Sequence, residues 1–194
     1  MITISNLTKK YNDVTVLDIS SLTIQPGESF GLVGNNGAGK TTLFRLVLDL
    51  IEANSGEVII NDQPVARRDE WKSYVGSFLD ENFLIDYLTP DEYFSFVGKL
   101  YSKSEGDIAA FVEKFSEFFN GEVAGNKKLI RELSKGNQKK TGIAAALLGD
   151  PKILILDEPF TALDPSSQIR LKRLLNELQE TKNTTMLISS HDLN

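Results

Sequence analysis

Gly34-Asn35-Asn36-Gly37-Ala38-Gly39-Lys40-Thr41-Thr42 is a glycine-rich run closing on a lysine and two hydroxyls. It fits the pattern G-x-x-x-x-G-K-[ST], whose chemistry is phosphate binding. Glycines let the backbone turn tightly and approach a ligand closely. Successive N–H groups then converge on phosphate oxygens at the positive end of a helix dipole. Lys40 supplies a point charge for β- and γ-phosphates, and the Thr41 hydroxyl suits Mg²⁺. The pattern requires a strand before it and a helix after it. The apolar run Ser29–Val33 and the helically spaced Leu43, Leu46, Val47 and Leu50 provide both over Thr41–Ile51.

Asp157 and Glu158 end the apolar run Ile153–Leu156, which has the composition of a strand buried on both faces. Side chains alternate along a strand, so adjacent carboxylates point apart and can divide labour. Asp157 has the position of a Walker B aspartate, holding Mg²⁺ or its water, and Glu158 that of a general base polarising an attacking water. Without the phosphate loop, the pair is simply a polar strand end. Leu133-Ser134-Lys135-Gly136-Asn137-Gln138 places a serine cap and a glycine at a helix start. That is an anion-binding geometry, though taken alone it is a helix cap.

These residues need a frame. The first third reads as strands, with Ile2 and Ile4 alternating and Val14–Ile24 rich in β-branched residues. Val58–Ile60 with Asn61-Asp62 suggests a short strand pair, and Tyr74–Leu79 one more strand. From Asp80 to Leu148 the pattern turns helical. Thr89, Pro90 and Glu92 form a capping box opening a helix to about Tyr101. Ile108, Phe111, Val112, Phe115, Phe118 and Phe119 share one face of a second predicted helix. A third runs from Ser134 to Gly149. The aromatic residues from Tyr87 to Phe119 read as the core of a small helical subdomain or, in part, as a docking surface. Asp164 and Pro165 start a further helix, and Thr184–Ser189 is a strand candidate. The alternation predicts an α/β fold with a parallel sheet. The frame divides into residues 1–79 and 149–194 as a core with an antiparallel β subdomain, and 80–148 as an inserted helical subdomain.

Composition narrows the function classes. With 21 basic and 27 acidic residues the net charge is −6, a poor basis for general nucleic-acid binding, which uses Lys and Arg to displace phosphate counterions. The chain has no cysteine, so disulfides and thiolate metal sites are excluded. No stretch approaches the ~20 apolar residues of a transmembrane helix. Met1–Ile4 carries no secretory-signal features. The expectation is a cytoplasmic chain, peripheral to a membrane only through a partner.

Taken together, the motifs resemble those of the nucleotide-binding domain of ATP-binding cassette (ABC) ATPases. Leu133–Gln138 resembles that family's signature motif, Leu-Ser-Gly-Gly-Gln. Thr161-Ala162-Leu163-Asp164 resembles the D-loop, and His191, the chain's one histidine, the switch histidine. Tyr11 matches the aromatic position that stacks on adenine. The resemblance covers essentially the whole chain and implies a P-loop NTPase core. It also implies ATP bound by Tyr11 and residues 35–42, and hydrolysis by Glu158 with Lys40 and His191. Mg²⁺ would be held by Thr41, Asp157 and Asp80. Ser134, Lys135, Gly136 and Asn137 would face the ATP of a second copy or homologous domain in a head-to-tail dimer. The same resemblance implies an integral membrane permease as partner, received near Asp80–Tyr87 and the aromatic-rich helices. A soluble ABC protein acting on ribosomes or DNA is the alternative; such members usually carry two cassettes and a charged linker, or a long coiled-coil insertion, and this sequence shows neither. The sequence departs from the family pattern at Lys135 and Asn137, where Gly and Gln are usual. It also carries Asp80 where the Q-loop has Gln, with Glu81 beside it. Family members continue past the switch histidine with further strands and a helix, so a truncated C-terminus is expected.

Overall fold

The computed structural model describes residues 1–66 and 68–191. Its first sheet is antiparallel, in strand order β2-β1-β4-β5, from β1 (Ile2–Tyr11), β2 (Val14–Ile24), β4 (Ser55–Ile60) and β5 (Gln63–Pro64). The second is parallel, in order β3-β8-β7-β6, from β3 (Ser29–Val33), β6 (Val75–Phe78), β7 (Ile153–Leu156) and β8 (Thr185–Ser190). β7 is buried at all its positions, as expected of a parallel strand covered on both faces. β1 buries Ile2, Ile4 and Leu7 against the face that also takes Ile24, Val58 and Ile60.

α1 (Lys40–Val47) follows the phosphate loop directly. The spacing predicted a helix as far as Ile51, but it stops at Val47. Asp49 takes the left-handed conformation (φ 52°), and the N–H of Leu50 reaches the Arg45 carbonyl at 2.8 Å, closing a Schellman turn with an aspartate in the usual glycine position. α2 (Pro90–Leu100) has both bonds of the predicted capping box between Thr89 and Glu92. The second predicted helix divides in two, α3 (Glu105–Lys114) and α4 (Ser116–Phe119). The break falls at Phe115, whose N–H is shared between the Phe111 and Val112 carbonyls. The break reorients Phe118 and Phe119 inward, where Phe119 stacks on Phe94 at 5.6 Å between centroids.

α5 (Lys135–Leu147) begins at Ser134 and is buried from Gln138 to Leu147. It lies on the parallel sheet, so the helical insert is not a separate body. One apolar cluster runs from Phe94 and Phe119 through Ile143 to Leu154, Leu156 and Met186. α6 (Pro165–Lys182) adds Leu171 and Leu175 to it. Each of these fully buried large side chains contributes roughly 1.5–3 kcal/mol of transfer free energy. The aromatic run is thereby apportioned: Phe94, Phe115, Phe118 and Phe119 are core, whereas Phe83, Tyr87 and Phe96 are exposed.

Candidate functional site

The phosphate loop joins β3 to α1. Gly39 is its tightest point: φ is 89°, and a Cβ there would lie 2.7 Å from the Val16 carbonyl. Only glycine accepts both constraints. Residues 36–42, Asp157 and Glu158 line one hollow of about 210 Å³. Lys40 is buried there, and its ammonium donates to the Gly34 carbonyl and to the Asn35 carbonyl at 3.3 Å. It also lies 3.3 Å from Glu158 Oε1. The Thr41 hydroxyl donates to Asp157 Oδ2.

Ser189, in β8, was not legible as a site residue. It is fully buried, its hydroxyl donates to Asp157 Oδ1, and it accepts the Glu158 N–H at 2.8 Å. One hydroxyl thus ties the Asp157 carboxylate to the Glu158 main chain. The available signal was a polar residue in a strand otherwise buried, since such groups carry hydrogen bonds. Ser189→Ala is expected to lower turnover about tenfold while leaving ATP affinity intact, because a misplaced catalytic group costs rate before binding. Paired kcat and equilibrium-binding measurements check this.

Glu158 takes a left-handed backbone (φ 47°). His191 Nδ1 sits 2.7 Å from its Oε2, and the His191 N–H donates to the same oxygen at 3.2 Å. Burial alone would raise the Glu158 pKa. Hydrogen bonds from His191 and Lys40 outweigh it and hold the carboxyl below its ordinary value. Glu158 is therefore ionised at neutral pH. Glu158, Thr161, Ala162 and His191 open on a second hollow of about 420 Å³, beside the phosphate loop.

Thr41 and Asp157 present adjacent hard oxygens, the donor set that suits Mg²⁺ shared with substrate phosphates. Among the described residues no group of three or more His, Asp or Glu side chains is arranged to hold a metal alone. Asp80 is placed differently. Its carboxylate accepts the Asn82 N–H at 2.7 Å, capping the 3₁₀ turn Glu81–Phe83, and no hydrogen bond joins it to Thr41 or Asp157 among the described residues. Tyr11 ends β1, about half exposed, with the Lys9 ammonium 5.1 Å from its ring centre.

Ser134 caps α5, accepting the Asn137 N–H at 3.2 Å, and the Lys135 ammonium reaches Gln138 Oε1 at 3.3 Å. Gly136 packs against the D-loop: a Cβ would meet the Ala162 carbonyl at 2.7 Å. The segment's hydrogen bonds are local, and none reaches the phosphate loop among the described residues. Asp164 accepts from Ser166 and Ser167 at the start of α6, and these bonds hold its pKa well below the carboxylate range.

A phosphate loop, a paired-carboxylate strand end, a histidine on the second carboxylate and a serine-capped helix thus stand on one α/β frame. The ABC transporter family profile matches residues 17–161. The chain belongs to the ABC transporter family. Among curated relatives of the cassette is the ABC transporter ATP-binding protein NatA of Bacillus subtilis, 34% identical over 98% of this chain and 79% of that protein. An ABC transporter ATP-binding protein of Synechocystis is 32% identical over 89% of this chain, which spans only 49% of its length. The cassette also superposes on the dimeric post-hydrolysis structure of the ATP-binding cassette MJ0796 bound to ADP and Pi. The TM-score is 0.86 at 25% identity, covering 100% of this chain and 89% of that one. CbiO1 of Clostridium perfringens, part of the ABC transporter complex cbiONQ, gives a TM-score of 0.77 at 29% identity, covering 98% and 78%.

Proposed function

We propose that this cassette binds Mg-ATP and hydrolyses it to drive a membrane transporter. The observation that carries the reading is the convergence of Lys40, Thr41, Asp157 and Glu158 on one hollow, with His191 bonded to Glu158 from the adjoining one. Lys40 and the loop amides hold the phosphates. Thr41 and Asp157 hold Mg²⁺, which supplies charge neutralisation on the phosphates when bound. Ionised Glu158 orients the attacking water, and His191 fixes the Glu158 carboxylate. Tyr11 offers its exposed ring to adenine. Asp80, which caps its own turn, would take a water of the cation rather than the cation itself.

Two cassettes meet head to tail, Ser134 and Gly136 of each completing the ATP site of the other. The relative solved with ADP and Pi is a dimer, which supports this reading.

An integral membrane permease is the second partner. Among the described residues no helix is long and apolar enough to cross a membrane. A groove of about 250 Å³ between Leu50, Phe83, Leu84, Tyr93 and Tyr101 would receive the permease, with exposed Phe83 at its rim. The cassette would then sit peripherally at the inner membrane face, with no nucleic acid involved. Tagged cassette co-expressed with a candidate permease tests this in detergent extracts. Retention of the permease, lost in Phe83→Asp while ATP binding stays, is expected. Co-sedimentation with ribosomes instead would overturn the transport reading in favour of a soluble mechanical switch.

A further inference from the structure

Lys139 takes no part in the motifs that define the site, yet it is buried in α5 and touches three residues around it. Its ammonium donates to the Glu158 carbonyl at 2.8 Å and to Thr161 Oγ1 at 2.6 Å. It also pairs with Glu81 Oε1 at 3.8 Å. Thr161 closes the circuit, its own hydroxyl bonding the Glu158 carbonyl at 2.7 Å. The carbonyl so gripped belongs to the residue whose backbone is left-handed, a conformation L-residues rarely hold without support. Turning that peptide would swing the Glu158 carboxylate away from Lys40 and His191.

Glu81 gives the arrangement direction. It opens the 3₁₀ turn Glu81–Phe83, whose last residue is exposed at the rim of the apolar groove. A single buried ammonium therefore spans from the groove to the hydrolytic residue. A buried charge is costly unless paired and hydrogen-bonded, so Lys139 strongly prefers the geometry that supplies all three partners.

We propose that Lys139 is a positioning residue for hydrolysis, holding the Glu158 peptide in its working conformation and tying it to the turn at Glu81. The proposal rests on the ATPase reading above. Displacement of the 81–83 turn would loosen Lys139 and, through it, Glu158. Lys139 touches no phosphate-binding group, so its effect falls on turnover and not on ATP affinity.

The experiment is steady-state Mg-ATP hydrolysis by the full chain, with ATP affinity and thermal unfolding measured on the same preparations. Lys139→Met is expected to lower kcat about tenfold or more with KM unchanged, and Lys139→Gln, which keeps a donor for the carbonyl, to recover most of the loss. Unchanged kcat in Lys139→Met, or a loss that Lys139→Gln does not recover, overturns the proposal. A fall in kcat matched by lost ATP affinity overturns it equally. Should Lys139→Met fail to fold, Thr161→Val removes the neighbouring hydroxyl at nearly constant volume. It is expected to lower kcat at constant KM, and unchanged kcat there overturns the proposal. Wild-type turnover that Glu158→Gln removes is the control. Its absence overturns the hydrolytic reading itself, whereas normal turnover with an indifferent Lys139→Met overturns this proposal alone.

Discussion

Glu158→Gln is expected to abolish turnover, by about 10²–10⁴-fold, while ATP still binds. The substitution keeps the shape but replaces one acceptor oxygen by a donor amide and removes the charge that aligns the water. Phosphoryl transfer asks the protein for positioning and charge neutralisation more than for covalent chemistry. The carboxylate is well placed for the first of these. His191 and Lys40 anchor its oxygens from opposite partners, and Ser189 anchors its N–H. Both anchoring groups also hold its pKa down, so Glu158 is an orienting group more than a strong proton acceptor. A carboxyl with a depressed pKa stays ionised further as pH falls, so its contribution to rate should extend to lower pH than an ordinary carboxylate's would. Binding is spared because phosphates meet Lys40 and the loop amides, which the substitution leaves in place. Trapped ATP should then hold two cassettes together, since ligand that bridges the halves favours the closed state by binding it better. Size-exclusion chromatography with and without ATP reads this directly. A dimer in Glu158→Gln with ATP, and turnover in the wild type alone, is the expected pair of results. Unchanged turnover in the variant would remove Glu158 from its role.

The parts of this site that the sequence reveals are those fixed by local spacing. The phosphate loop needs its glycines, lysine and hydroxyls within a few residues, and Gly39 shows why no other residue stands there. Asp157 and Glu158 are adjacent by necessity, and the Thr89–Glu92 capping box is a three-residue relation. What depends on packing between distant segments was not legible. Ser189 meets Asp157 only because β7 and β8 are neighbours in the parallel sheet. Lys139 meets Glu81 and Glu158 only because α5 lies across the ends of β6 and β7. In sequence it is one of two consecutive lysines, an arrangement that reads as a solvated face. The second of them, Lys140, is buried too, paired with Glu122 at 3.1 Å. Phe115 continues the apolar helical spacing, yet the helix breaks there because the core asks Phe118 and Phe119 to turn toward Phe94. That Asp80, the residue at the Q-loop position, also caps the turn Glu81–Phe83 depends on the local fold after β6.

Lys40→Ala should cost most of the nucleotide affinity. The ammonium is held in the phosphate loop by the Gly34 and Asn35 carbonyls and is buried, so little side-chain entropy remains to be lost when phosphate arrives. Hydrogen bonds to charged partners contribute about 1.5–3 kcal/mol net, which converts to roughly 10- to 150-fold in Kd. The same ammonium pairs with Glu158 Oε1 at 3.3 Å. Its removal therefore does a second kind of damage, leaving a part-buried carboxylate with one cation fewer. Two consequences separate these effects. Loss of phosphate contact weakens triphosphate and diphosphate binding but not adenosine, whose contacts would lie at Tyr11. Loss of the Glu158 counter-charge raises the carboxyl pKa toward its ordinary value and weakens folding, and that cost fades at acid pH as the carboxyl protonates. Titration calorimetry with ATP, ADP and adenosine measures the first, and thermal unfolding as a function of pH measures the second. Wild-type affinity for ATP in Lys40→Ala would contradict the phosphate-loop assignment. An equal loss for adenosine would instead mean that the loop had collapsed, and that Lys40 acts on its structure more than on the ligand.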